Sequence, residues 1–353
     1  MAPSSSSSPS LGRRLRRLLL GLLLLVVAAE LALRLFDLAF DHPTGSLYDA
    51  VVAHGERFKL KPGGRVIAPE RYGDVEYRFN QAGYRDRDHD PNGSRERIVL
   101  LGDSVGFGLG APWETTYAAR LERLLAERRP PGFEVMSLAI FAYDTRHELL
   151  AYEEDGRPWK PRLVVAQFYL NDFSIRPPAG PASALTLGER LRGLKNQLLY
   201  RSNLYRRLHQ LAAGAGYRLV HDRRRLEHPE KLNRLEPEHK QRYLAEHPND
   251  TDVEAFVLLS RLANEVRADG GTFLLMVSPD EVQLFDPSYD DIQHRIEAFA
   301  AREGIPLLDL LPILRAQSEK HKLFLDGVHL SAQGHAVVAG ALADEILRRG
   351  LLP

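Results

Sequence analysis

The chain has 353 residues, with 47 lysines and arginines balanced by 47 acidic residues, 44% hydrophobic and 27% charged content. That composition is ordinary for a globular protein and creates no global field that would draw in nucleic acid or an acidic partner. Cysteine is absent, which excludes disulfides, thiol nucleophiles and cysteine-ligated zinc and suits either side of a bacterial membrane.

Residues 1–40 stand apart. After a Ser/Pro-rich start come Arg13, Arg14, Arg16 and Arg17, then the apolar run "LLLGLLLLVVAA" over 18–29. The run alone is shorter than the ~20 residues that span a bilayer. Continued to Phe36 it reaches that length, with Glu30 and Arg34 near the far interface, where they can snorkel. Arginines ahead of an apolar stretch keep an N-terminus in the cytoplasm and send the following chain across. The expectation is an uncleaved signal-anchor in the inner membrane, single-pass, with the body periplasmic. The rival is a cleavable signal peptide ending at Val27-Ala28-Ala29, which would make the protein secreted.

Residues 41–97 are irregular, broken by Gly63-Gly64, Pro69 and Pro91-Asn92-Gly93. They read as a lead-in segment with a short strand or two, such as "VEYRFN". Residues 98–353 then alternate. The wholly apolar stretch 98–101 has the pattern of a strand buried on both faces. A helix is expected over 115–127, with Tyr117, Leu121, Leu124 and Leu125 on one stripe. "FEVMSLAI" is a second strand, Asp144 caps a helix running through Leu149 and Leu150, and "RLVVAQFYL" is a third strand ending at Asn171-Asp172. The stretch 174–251 is basic and helical in character and reads as an insertion. The alternation resumes with a helix over 252–268, strand "TFLLMVS", a helix over 289–302, strand "IPLLDL" and a helix over 331–349. Such alternation predicts βαβ units in a three-layer α/β/α, doubly wound, mainly parallel sheet, whose ligands bind beyond the carboxyl ends of the strands.

The stretch "IVLLGDSVGFG" fits two serine-nucleophile patterns. As G-x-S-x-G (Gly102, Ser104, Gly106) it matches the nucleophile elbow of α/β-hydrolases. That elbow follows several strands and an upstream oxyanion loop, whereas Ser104 follows the first convincing core strand. Near the C-terminus stands "LDGVHLSAQGH", with Asp326 three residues before His329. Such spacing lets a carboxylate hold the imidazole without a separate strand to deliver it. Four blocks in order, "GDS" at 102–104, "SLAIFAYDT" at 137–145, "YLND" at 169–172 and "DGVH" at 326–329, resemble the SGNH (GDSL-type) hydrolase family over about 98–347. The lead-in "YRFNQAGYRDRDHD" resembles the segment preceding the first block in a bacterial, membrane-anchored branch of it.

The resemblance implies a flavodoxin-like fold, Ser104 as nucleophile, His329 as its base and Asp326 orienting the imidazole. It implies oxyanion donors at the backbone N–H groups of Ser104 and Ala139 and the side chain of Asn171. The second block departs from the family: Ala139 and Ala142 replace glycines, and Ser137 replaces an Asn. Alanine still supplies a main-chain donor if φ need not be positive, and its methyl favours small acyl groups such as acetyl.

Several other residues have plainer readings. Ser104 could be only a helix N-cap, and His329 a structural histidine. His335 reads as structural, Asp172 as a turn residue, and Asp309 as a competing acid. Asn80, Gly83 and Arg85 read as ties between the lead-in segment and the core. No H-x-x-x-H or H-E-x-x-H spacing occurs, and His221, His228, His239 and His247 lie among charged residues, so no metal or other cofactor is expected. Gly106, Gly108 and Gly110 lack the order of a dinucleotide fingerprint. The basic run "RLRGLKNQLLYRSNLYRRLHQ" reads as a helical cap on the core, with contact to anionic lipid as the rival.

The expected function is a serine esterase that hydrolyses a short-chain O-acyl ester of an envelope carbohydrate or lipid through an acyl-enzyme on Ser104. O-acetyl transfer to a cell-surface polysaccharide uses the same residues and is the alternative. An inactive glycan-binding or scaffold protein is the non-enzymatic one.

Overall fold

The computed structural model describes residues 11–39, 47–70, 73–173, 202–205, 208 and 235–352. Most of the expected insertion, 174–251, and the Ser/Pro-rich start therefore lie outside the described residues. The first element is a long helix, α1 (Leu11–Ala39). Within it, Gly12–Phe36 is long and apolar enough to cross a membrane.

The lead-in segment forms two antiparallel hairpins, β1 (Val51–His54) with β2 (Arg57–Leu60) and β3 (Arg65–Glu70) with β4 (Gly73–Arg78). The second contains the expected strand "VEYRFN" in part. Then comes the alternating body: β5 (Arg97–Leu101), α2 (Ser104–Phe107), α3 (Tyr117–Arg128), β6 (Glu134–Ser137), α4 (Thr145–Ala151) and β7 (Leu163–Phe168). Within the expected insertion lies α5 (Leu235–Glu246), and after it come α6 (Glu254–Ala268), β8 (Thr272–Val277), α7 (Asp290–Arg302), β9 (Leu307–Asp309), α8 (Leu311–Arg315) and α9 (Ala332–Arg349).

All five central strands are parallel, in the order β6-β5-β7-β8-β9. Counted within this sheet the order is 2-1-3-4-5, the flavodoxin-like winding, whose direction reverses between β5 and β7. Strand periodicity divides the core into two layers. Ile98, Leu100, Leu163, Val165, Leu274 and Met276 pack with Leu121 and Leu125 of α3 and Val338 and Leu342 of α9. Val99, Leu101, Val164, Ala166, Leu275 and Val277 face the other way, against Leu149 of α4, Phe256 of α6 and Ile296 of α7. Both faces of β5 and β7 are therefore covered, which is why these strands read as unbroken apolar runs. Each fully buried side chain of this size contributes about 1.5–3 kcal/mol.

The expected boundaries shift for local reasons. The second strand ends at Ser137, not Ile140, because the chain turns away after Leu138 and Ile140 make their last bonds to Leu100 O and Gly102 O. The helix expected from residue 115 starts at Tyr117 because Thr116 caps it, its side chain accepting from Ala119 N. Ser331 caps α9 in the same way, accepting from Gly334 N.

Candidate active site

The reversal of winding places the ends of β5 and β7 side by side, and Ser104 and Asn171 follow those two strands. Asp103 caps the short helix α2, its carboxylate accepting the Val105 N–H at 2.8 Å. Ser104 is therefore the first residue of a helical turn, where main-chain N–H groups lack intrahelical partners. The second glycine of the G-x-S-x-G pattern is needed for close packing: a Cβ on Gly106 would stand 2.9 Å from Ala139 Cβ and 3.1 Å from Tyr117 Oη. The pattern brings the nucleophile turn onto the second block. It does not make an α/β-hydrolase elbow.

His329 Nε2 lies 2.9 Å from Ser104 Oγ, and His329 Nδ1 lies 2.8 Å from Asp326 Oδ2. Both Asp326 and His329 come from one tight loop, closed where Leu325 N donates to His329 O at 2.7 Å. Asp326 Oδ1 accepts the N–H groups of Val328 and His329 at 2.9 and 2.7 Å, so the carboxylate folds its own loop and orients the imidazole. Burial pushes the Asp326 carboxyl up. The hydrogen bond and charge of His329, with the two amides, outweigh it and hold the group well below the usual carboxylate range. Asp309, the competing acid, instead accepts the Leu311 N–H at 3.0 Å, and burial pushes it up to about 6.

Asn171 Nδ2 donates to Asp103 Oδ2 at 2.9 Å. An amide nitrogen carries two protons, and this contact uses one of them. Ala139 lies between Leu138 and Ile140, whose amides bond to β5-side carbonyls at 2.8 and 3.2 Å. Strand alternation turns the Ala139 N–H away from that ladder. Ala139 does not have a positive φ, but Ala142 does, at 62°. The substitution of glycine is therefore harmless at the first alanine and strained at the second.

The carboxyls near the Asp103–Asn171 pair are deeply buried. Asp172, expected as a turn residue, does lie in the 3-10 turn Leu170–Phe173 but is fully buried, accepting the Tyr169 N–H at 2.8 Å and the Thr145 hydroxyl at 3.1 Å. Glu148 of α4 faces the same region. Burial, then the nearby Asp172, Asp103 and Asp144 carboxyls, push it well above the usual range.

The lead-in segment reaches the nucleophile turn from behind. Asn80 Oδ1 accepts from Ala82 N and Tyr84 N at 3.1 and 2.9 Å, and Gly83 O accepts from Leu60 N at 3.0 Å. This turn delivers Arg85, whose fully buried guanidinium donates to the carbonyls of Phe107, Gly108 and Ala111 at 2.7–2.9 Å. It also lies 4.3 Å from the Tyr77 ring centroid. A cation at the carboxyl end of a helical turn complements the partial negative charge there. His335 is buried, its Nδ1 accepting from Tyr117 N at 3.2 Å, and burial lowers its pKa to about 3, so its role is structural.

Sequence reasoning missed Gln167. Its Oε1 accepts the Gly106 N–H at 3.1 Å from a fully buried position in β7. The signal was a single amide side chain inside an otherwise apolar strand.

A GDSL-like lipase/acylhydrolase family model matches residues 100–337. Among solved structures, that of TesA is similar at 17% identity over 73% of this chain and 100% of its own, with a TM-score of 0.43. A lipase/acylhydrolase from Enterococcus faecalis is similar at 14% identity over 72% and 96%, with a TM-score of 0.43. An acetylxylan esterase from Geobacillus stearothermophilus is similar at 18% identity over 73% and 96%, with a TM-score of 0.42. No curated protein matches this sequence. The family match spans most of the sheet and carries every block from the nucleophile strand to the start of the last helix, so this chain belongs to the GDSL-like lipase/acylhydrolase family and is a serine ester hydrolase.

Proposed function

We propose that the protein hydrolyses short-chain O-acyl esters of an envelope carbohydrate, with its catalytic domain held outside the cytoplasm by α1. The observation that carries the reading is the continuous relay from Asp326 through His329 to Ser104, with contacts of 2.8 and 2.9 Å. Ser104 Oγ attacks the ester carbonyl carbon while its proton passes to His329 Nε2. The imidazolium is stabilised by Asp326, and the oxyanion by the N–H groups of Ser104, Ala139 and Asn171. Collapse breaks the acyl–oxygen bond, and the departing alcohol takes the proton back from His329. Water, activated by the same imidazole, then attacks the acyl-enzyme and releases the carboxylic acid and free Ser104.

One feature supports the carbohydrate part of the reading. A 430 Å³ groove between the β3–β4 hairpin and the loop after α2 is lined by Trp113, Pro112, Val75, Asp74, Glu76 and Arg78. None of Ser104, Asn171, Asp326 or His329 lines this groove, so it is a candidate contact for a sugar ring apart from the reacting groups, with an aromatic face and flanking polar groups. The arginines in the first turns of α1, ahead of its apolar stretch, support a cytoplasmic N-terminus and a body on the opposite side.

The test supplies an O-acetylated glycan together with an unacetylated glycan to the full chain and to Ser104→Ala. Released acetate, absent in the variant, supports hydrolysis, and a newly acetylated acceptor would replace it with acyl transfer. Trp113→Ala should raise KM for the glycan ester while leaving turnover of a small aryl acetate unchanged. Equal effects on both substrates would remove the groove from the account.

A further inference from the structure

Helix α1 is exposed along most of its length, but Ala29, Glu30 and Leu33 are half-buried on one face. There the Glu30 carboxylate accepts the backbone N–H groups of Asn203 at 3.1 Å and Leu204 at 2.9 Å, and the Ser202 hydroxyl at 2.9 Å. Ser202 Oγ accepts the Tyr205 N–H at 3.0 Å. All three leading amides of that helical turn are thus engaged, two of them by a residue more than 170 positions away. Arg34, one turn along α1, donates to the same carboxylate at 2.7 Å.

Helix geometry sets the height of this joint. At 1.5 Å per residue Glu30 stands about 20 Å along the axis from Arg17. Arginines at the near boundary snorkel back toward the headgroups, and the hydrocarbon layer is about 30 Å thick. Glu30 therefore comes to the outer part of that layer, where a lone carboxylate is costly. Donors from Asn203, Leu204, Ser202 and Arg34 offset that cost. What the joint holds must lie at the same level. Leu208, four residues beyond Leu204, is 56% exposed, and the surrounding sequence carries Arg201, Arg206 and Arg207. An exposed leucine in a sequence rich in arginine has the composition of a segment lying on anionic lipid.

We propose that the segment carrying Ser202 and Leu208 lies in the outer interfacial layer of an anionic lipid bilayer, pinned there by Glu30. This rests on the reading of α1 as a membrane anchor. The catalytic domain is then tied to the membrane at two points, through the lead-in segment and through the insertion.

The chain has no cysteine, so one introduced thiol takes a unique label. Full-length Leu208→Cys and Leu22→Cys chains, each carrying an environment-sensitive fluorophore, are reconstituted in vesicles of phosphatidylethanolamine and phosphatidylglycerol containing spin-labelled lipid. Both probes should be blue-shifted and quenched by the lipid label, with Leu208 quenched best by a label near the headgroups. Adding Glu30→Ala should abolish quenching at Leu208 and preserve it at Leu22. Quenching at Leu22 with none at Leu208 would overturn the proposal while the anchor stands. No quenching at Leu22 would overturn the anchor and the proposal together. Lipid quenching at Leu208 that survives Glu30→Ala would refute the pinning role assigned to Glu30.

Discussion

Asn171 Nδ2 donates to Asp103 Oδ2 over 2.9 Å, linking the end of β7 to the residue that caps the nucleophile turn. One contact thus aligns the third block with the first. In the proposed mechanism the second amide proton of Asn171 meets the substrate oxygen. Asn171→Ala should lower kcat by about 100- to 1000-fold, the usual cost of one oxyanion donor, with KM nearly unchanged. Steady-state kinetics on an aryl acetate check this, and an unchanged kcat would take Asn171 out of the oxyanion hole.

Asp326→Asn should lower kcat by about 10⁴-fold, because an amide no longer favours the imidazole tautomer that accepts the Ser104 proton. It should also change acid stability. The folded-state carboxyl is held below its ordinary value, so its stabilisation is present above about pH 4 and is lost as pH falls through the folded pKa. The stability gap between wild type and variant should be widest near neutrality and close in acid. Chemical denaturation at several pH values measures it.

Asp280 gives the opposite sign. Burial pushes its carboxyl up to about 6, against hydrogen bonds from Val282 N–H and the Tyr169 hydroxyl, the latter at 2.9 Å. The folded state then binds a proton that the unfolded state releases between about pH 4 and 6, so this residue's contribution to stability falls as pH rises through that window. Asp280→Asn cannot ionise. Its stability relative to wild type should improve by up to about 3 kcal/mol from pH 4 to pH 7, as read by urea unfolding at the two pH values.

Arg85 should behave as a positioning residue for the nucleophile turn. Arg85→Met strands three carbonyls and should cost at least about 3 kcal/mol of stability. Arg85→Lys retains the charge but lacks the planar fork, so it should restore part of the stability and part of kcat. In folded protein both variants should lower kcat with little change in KM. A loss of stability with kcat intact would reduce Arg85 to a structural tie.

Ala142→Gly should be neutral or stabilising by up to about 1 kcal/mol. Relief of the left-handed strain at φ 62° is worth about 1–2 kcal/mol, and glycine's greater unfolded-state entropy offsets part of it. Thermal unfolding decides the sign.

Much of this arrangement is legible in the sequence because its signals are local. Residues 98–101 are apolar without a break because both faces of β5 are covered. Asp326 and His329 are legible as a pair because one tight loop delivers both. The distant contacts left weaker traces. Arg85 reads as a tie to the core, yet nothing in the sequence points to its three carbonyls on the turn after Ser104. Gln167 is an amide in an apolar strand, and its partner lies 61 positions away. Ala142 carries a positive φ that its residue type argues against. Glu30 reads as an interfacial charge, and only the fold reveals its cap on the turn at Ser202.

The most direct test of the account is intact-mass analysis of the full chain after exposure to a fluorophosphonate, beside Ser104→Ala. The arrangement of Asp326, His329 and Ser104 should give one covalent adduct on the wild type and none on the variant. No adduct on folded wild-type protein, or the same adduct on Ser104→Ala, would contradict Ser104 as the activated nucleophile.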